Sequence, residues 1–291
     1  MRNSTSTLSM TTPEDLSEAL QLLADTDKKW IPFAGGTDLM VQLESNLLDG
    51  ADFLNIWGLF ELQGIEESDC EVVLGALTTY SEIRSSEVIK SEFPLLYQAA
   101  GLTGAKAIQN RGTIGGNIVN ASPAADTPPA LLCYDAELLL SSSEGQRWVD
   151  YQDFHTGYKT HALAPGELIT HIKLRRGQEK KFNFYHKVGT RNAQAISKVL
   201  FCLMVQVNNS RIEKFRLALG SMAATPILMD SLRDAFEEQE FGSDLIEKGL
   251  SILNEELSPI DDIRSTGAYR KKVTLNLFKY YMEKIYVGLG Q

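Results

Sequence analysis

Apolar residues recur at helical spacing at Leu16, Ala19, Leu20 and Leu23, just after Thr12-Pro-Glu-Asp15. Thr12 as N-cap, Pro13 in the first helical position, and Glu14 and Asp15 at the positive helix end predict a helix opening there. Residues 30–34 read as a short extended run, two glycines follow, and residues 37–44 return to helical spacing. The opening unit is therefore helix, strand, glycine turn, helix. Further strands are predicted over 52–56, 71–75, 136–140, 148–149 and 168–174, with 141–145 as a hairpin-like joint. One helix opens at Thr78 and runs through Val88, and residues 94–100 form another, buried one. The charged run 175–181 is the most marked boundary in the chain. After it, strands over 195–207 and 214–220 precede helices over about 226–240, 243–256 and 268–286.

Composition narrows the class. The chain has 291 residues, 43% hydrophobic and 23% charged, as a soluble globular protein of one large or two modest domains would. With 28 Lys plus Arg against 38 Asp plus Glu, the net charge is −10, which argues against a general nucleic-acid binder. An anionic ligand would have to be held by local main-chain geometry. Cys70, Cys133 and Cys202 form no CxxC pair, so a cysteine-held zinc or iron–sulfur site is excluded from this chain. Such sparse cysteines predict buried, reduced thiols and a cytoplasmic setting. The N-terminal segment carries no apolar leader core, and the run 199–205 is too short to span a bilayer. The four histidines show no metal spacing and are read as structural or surface groups.

Two segments carry candidate chemistry. Phe33-Ala-Gly-Gly-Thr-Asp-Leu39 lies where a strand hands over to a helix, and adjacent glycines there let the backbone bring N–H groups close to an anion. Its plainer reading is a tight turn with Thr37 or Asp38 as an ordinary N-cap. Residues 109–126 combine Gly112, Gly115 and Gly116 with Thr113, Asn117, Asn120 and Ser122, and Asp126 is an acceptor suited to a sugar hydroxyl. The plainer reading here is an irregular loop whose polar side chains satisfy their own backbone. Neither a GxxxxGK[ST] nor a GxGxxG motif is present. Two such loops in one acidic chain favour a dinucleotide held by backbone amides.

The pair Phe33-Ala-Gly-Gly-Thr-Asp-Leu39 and Asn110-Arg-Gly-Thr-Ile-Gly-Gly-Asn117 resembles the FAD-binding medium subunit of the molybdenum hydroxylases, the xanthine dehydrogenase, aldehyde oxidase and carbon monoxide dehydrogenase family. The resemblance continues in order through Ala121-Ser-Pro-Ala-Ala-Asp126, Gly157-Tyr-Lys-Thr160, Pro165-Gly-Glu-Leu-Ile169, His186-Lys-Val-Gly-Thr-Arg191 and Ile260-Asp-Asp-Ile-Arg-Ser-Thr266. It implies an α+β chain: a vanillyl-alcohol-oxidase, PCMH-type FAD-binding domain over 1–176, made of two α/β subdomains (about 1–57 and 58–176). A C-terminal α+β domain of the CO dehydrogenase flavoprotein type follows over 181–288.

The same resemblance assigns cofactor positions. It places pyrophosphate and adenosine against Pro32, Phe33, Ala34, Gly35, Gly36, Thr37, Asp38 and Leu39. It adds Ile108 and, from the second segment, Gly112, Thr113, Gly116, Asn117, Val119 and Asn120. Asp126, preceded by Ala125, falls on a cofactor-contacting position, and Ile169 and Lys187 match positions near the flavin. Thr103 departs from the mammalian xanthine enzymes, which carry an aromatic residue there; Tyr158 reads either as a replacement contact or as a half-buried loop tyrosine. Lys187 would stabilise charge on a reduced flavin; by itself it reads as a solvated strand-end lysine. No catalytic residue and no metal ligand is assigned.

What is missing completes the expectation. Molybdopterin and [2Fe–2S] clusters would reside on a large and a small partner subunit. The chain would then be an electron-transfer flavoprotein in a heteromeric complex, delivering electrons to NAD⁺ or another acceptor. A stand-alone flavin oxidoreductase acting on a small organic substrate and a non-catalytic assembly subunit are the alternatives. The agreement over QNRGTIGGN leans towards the bacterial xanthine-dehydrogenase type.

Overall fold

The computed structural model describes residues 8–48, 50–177, 181–191 and 194–290. The N-terminal residues 1–7 read above as lacking a leader, and 178–180 of the predicted boundary, lie outside the described residues. The first unit contains β1 (Ser9–Thr11), α1 (Leu16–Ala24), β2 (Trp30–Phe33), α2 (Leu39–Glu44) and β3 (Asp52–Asn55). Its strands form a three-stranded parallel sheet in the order β1-β3-β2. Helix α1 starts later than Thr12 predicts. Asp15 is the cap, accepting from the Glu18 amide at 2.8 Å, while the Thr12 hydroxyl accepts from Asn55 Nδ2 at 3.1 Å. With Thr12 tied to the end of β3, the next capping side chain before the apolar repeat takes its place.

The second unit runs through β4 (Ile65–Glu67), β5 (Glu71–Gly75), α3 (Tyr80–Ser85), α4 (Glu87–Glu92), α5 (Pro94–Leu102), α6 (Lys106–Gln109), α7 (Ile114–Val119) and α8 (Pro128–Cys133). It continues with β6 (Glu137–Ser142), β7 (Gly145–Asp150), the small hairpin β8 (His155–Gly157) and β9 (Thr160–His161), and β10 (Leu168–Arg175). The five-stranded antiparallel sheet has the order β4-β5-β10-β6-β7. The single helix expected from Thr78 to Val88 is two helices. Thr79 and Glu82 form a reciprocal capping box on α3, and the extended Ser86 both ends α3 and caps α4. The glycine- and asparagine-rich stretch 101–126 is neither linker nor open loop, because it contains α6 and α7.

The C-terminal unit holds β11 (Lys181–Val188), β12 (Val199–Asn208), β13 (Arg211–Gly220), β14 (Ile227–Leu228), α9 (Asp230–Phe236), α10 (Ser243–Glu256) and α11 (Gly267–Gly288). Its four strands pair antiparallel in chain order. Strand β11 is absent from the sequence reading, and β12 starts four residues later than expected. The helix expected over 226–240 shrinks to α9, because residues 227–228 pair with β13 and the chain after Phe236 returns to that strand.

The apolar run of β12 is explained by burial on both faces. Val199, Phe201, Leu203 and Val205 pack with Phe236, Leu253, Phe278 and Ile285 of the helical layer. Leu200, Cys202 and Met204, with Tyr185 and Ala218, belong instead to the core of the second unit, alongside Leu131, Cys133 and Leu138. Arg216 reinforces this seam by reaching Asp135 at 2.9 Å. Cys133 and Cys202 are buried free thiols, but Cys70 is exposed, which corrects the expectation that all three are buried. Among the described residues, no helix is long and apolar enough to cross a membrane.

Candidate functional site

The first glycine segment turns sharply between β2 and α2. Gly36 adopts φ +73°, a conformation that a side chain rarely tolerates, and a Cβ there would strike the Phe33 ring at 2.5 Å. Gly35 serves a different need. A Cβ on it would lie 1.7 Å from the Arg111 carbonyl oxygen and 3.3 Å from the Gly112 nitrogen. The two glycine segments, 77 positions apart in sequence (112 − 35), therefore meet main chain to main chain. Among the described residues, the amides of Gly35, Gly36, Thr37 and Asp38 have no acceptor. Asp38 sits in the N-cap position of α2 without capping it.

The second segment differs from the expected cradle of free amides. The Ile114 amide donates to Thr78 O at 3.0 Å and the Gly115 amide to Ala76 O at 2.9 Å. Thr113 caps α7 by accepting from Gly116 N at 3.2 Å. Gly115 and Gly112 are small because they pack against Ala76 and the Tyr80 ring. This segment thus uses its amides to brace itself under the first one, and offers side chains outward. Asn120 Nδ2 donates to Asp38 Oδ1 at 3.2 Å, joining the two directly. Asn117 Oδ1 accepts from Thr127 at 2.6 Å, next to Asp126.

A second cluster forms where the C-terminal sheet abuts this unit. Lys187 Nζ, at the end of β11, donates to Asp126 Oδ2 at 2.7 Å and to Leu102 O at 3.0 Å. Both side chains are only 9% exposed, so Lys187 is a buried paired cation rather than a solvated strand end. Asp126 is bound to this lysine instead of standing free for a hydroxyl, yet its Oδ1 is buried without a partner among the described residues. Burial pushes its carboxyl up to about 6, although Lys187 pulls the other way. An open cavity of about 420 Å³ adjoins the pair, lined by Leu102, His186, Lys187, Gly189, Thr190, Arg191 and Ala195 among others. Among the described residues no group of His, Cys, Asp or Glu could hold a metal.

The remaining predicted positions are scattered around these two clusters. Pro32 and Phe33 end β2, Ala34 packs on the first unit's core, and Leu39 opens α2. Val119 packs against the main core, Ala125 is buried beside Asp126, and Ile108 is partly exposed under Gly104. Ile169 is 2% exposed within the main core, and Tyr158 is 66% exposed at the hairpin tip. The sequence reading passed over Lys159, next to Tyr158, whose Nζ donates to Asn120 O at 2.8 Å and Oδ1 at 2.5 Å. It also passed over Arg111, whose guanidinium lies 3.8 Å over the Trp57 ring. No local spacing marks either; both act on residues distant in sequence.

Comparison with known proteins shows the family of the chain. Residues 5–174 match the family model described as the FAD binding domain in molybdopterin dehydrogenase, and 184–285 match the CO dehydrogenase flavoprotein C-terminal domain. The chain is 33% identical to the glyceraldehyde dehydrogenase medium chain of Sulfolobus acidocaldarius, covering 91% of this chain and 95% of that protein. It is 28% identical to the xanthine dehydrogenase FAD-binding subunit of Escherichia coli O157:H7, over 94% of both chains. In fold it superposes on a carbon monoxide dehydrogenase chain from Hydrogenophaga pseudoflava with a TM-score of 0.88, covering 94% of this chain and 95% of that one, at 23% identity. The chain belongs to the FAD-binding medium-chain family of the molybdopterin dehydrogenases, the flavoprotein subunits of molybdenum hydroxylase-type oxidoreductases.

Proposed function

We propose that this chain holds FAD across the two clusters and links [2Fe–2S] clusters on a small partner subunit to NAD⁺ or another acceptor. The molybdopterin centre would sit on a large partner subunit. The observation that carries the reading is the contact of Gly35 with the Arg111 carbonyl, beside four unengaged amides. Those amides, with Thr113, Asn117 and Asn120, would hold the diphosphate and adenosine. Asp126, with its orphaned oxygen, and Lys187 would stand at the flavin end, with Thr103 beside them and Ile169 behind. The bound cofactor supplies redox chemistry that accepts and delivers one or two electrons. The residues would fix its position: the first segment would donate hydrogen bonds, the seam ion pair would keep one positive and one acidic group in place, and the adjoining cavity would leave an approach to it.

The substrate of such a complex is chosen elsewhere. The relatives, 24–33% identical to this chain, include proteins named for glyceraldehyde, xanthine, nicotinate and carbon monoxide. Retention of flavin absorbance after FAD reconstitution and desalting tests the reading, and its absence would overturn it. Gly35→Ala should lose FAD affinity on the order of tenfold or more, since overpacking costs about 1–3 kcal/mol. Gly58→Ala, with open space around its Cβ, should match the wild type. Reduction of NAD⁺ by the native complex then separates that acceptor from others.

A further inference from the structure

We propose that Lys159, assisted by His155, is a positioning residue: the β8–β9 hairpin caps the end of α7 and, through Asn120, fixes Asp38 in the first glycine segment. The inference rests on the reading of that segment as a dinucleotide cradle.

Helix α7 is only six residues long, and carbonyls at a helix end lack intrahelical donors. The hairpin adds donors there: Ile118 O already accepts from the Ala121 amide at 3.0 Å, and Asn120 O lies past the last turn. His155 Nε2 meets Ile118 O at 2.9 Å, so in this pairing it carries the hydrogen, and Lys159 Nζ meets Asn120 O at 2.8 Å. Lys159 also donates to Asn120 Oδ1 at 2.5 Å. An ammonium can only donate, so it dictates which end of the amide faces it. The Asn120 NH₂ is thereby turned to Asp38 Oδ1, at 3.2 Å. Gln42 Nε2 takes the other Asp38 oxygen at 2.5 Å.

Both carboxylate oxygens are thus engaged, which accounts for an aspartate in the N-cap position that makes no cap bond. A loose carboxylate beside the unengaged amides would repel a phosphate and compete for those donors. Lys159 itself adopts φ +57°, unusual for a residue with a side chain, and this conformation belongs to the turn that presents its ammonium to α7.

The test compares the full chain with Lys159→Met and Lys159→Arg. In Lys159→Met the FAD dissociation constant should rise about three- to tenfold, the effect of one charge-assisted hydrogen bond at the surface. In the FAD-free protein, amide hydrogen exchange should accelerate locally over residues 36–42 and 117–121. Lys159→Arg, which keeps a donor at the same carbonyl, should restore both. Wild-type exchange in Lys159→Met, or acceleration spread evenly over the whole chain, would overturn the proposal. Because exchange is read without cofactor, a wild-type chain that failed to bind FAD would sink the cradle reading while leaving this test intact.

Discussion

At Asp126 burial and a paired cation act in opposite directions. Its carboxyl titrates near 6 in the folded chain, against an ordinary value near 4, because desolvation outweighs Lys187. A raised acid pKa means that the folded state holds the proton more tightly. The resulting stabilisation is complete below about pH 4 and is lost as pH rises through about 6. Urea unfolding of the FAD-free protein should therefore show wild type losing stability relative to Asp126→Asn/Lys187→Met as pH rises from 4 to 7. Parallel profiles would refute this. The pairing itself was hidden in the sequence, since 61 residues separate the partners and no periodicity links them. The paired glycines were legible as a sharp strand–helix turn, but the approach of Gly35 to the Arg111 carbonyl was not.

At the scale of elements, short helices depend on their caps. Thr113 accepts from Gly116 at the start of α7, so Thr113→Ala should cost about 1 kcal/mol in denaturant unfolding and Thr113→Ser much less. Equal losses in the two variants would show that the methyl group, not the hydroxyl, matters. Element positions were readable where one apolar face repeats, as in α10, whose predicted and observed limits coincide. They were not readable where tertiary partners intervene. Thr12 looks like a cap but bonds Asn55, and β11 escaped because its Phe182 and Phe184 serve the helical layer while Tyr185 serves the other core. In β11, apolar and basic residues share one strand, so neither period stands out.

Over the whole molecule, the C-terminal sheet is covered on both sides, by its own helices and by the FAD-binding unit. Expressed separately, residues 1–177 and 181–290 should each expose the apolar seam, bind hydrophobic dye and aggregate, whereas co-expression should restore one soluble species. Coincident unfolding transitions by fluorescence and circular dichroism would accompany it in the intact chain. Two freely soluble halves would contradict the shared core. The sequence marked a division at 175–181 by its charge, but it could not reveal that alternate residues of one buried strand serve two neighbours.

The bond between Lys187 and Asp126 crosses that same seam. An acid in one half is neutralised only while the other half stays in register, so slippage between them would strand two charges in a nearly dry place. The alignment of the two lobes is thereby tied to the pairing of two charges.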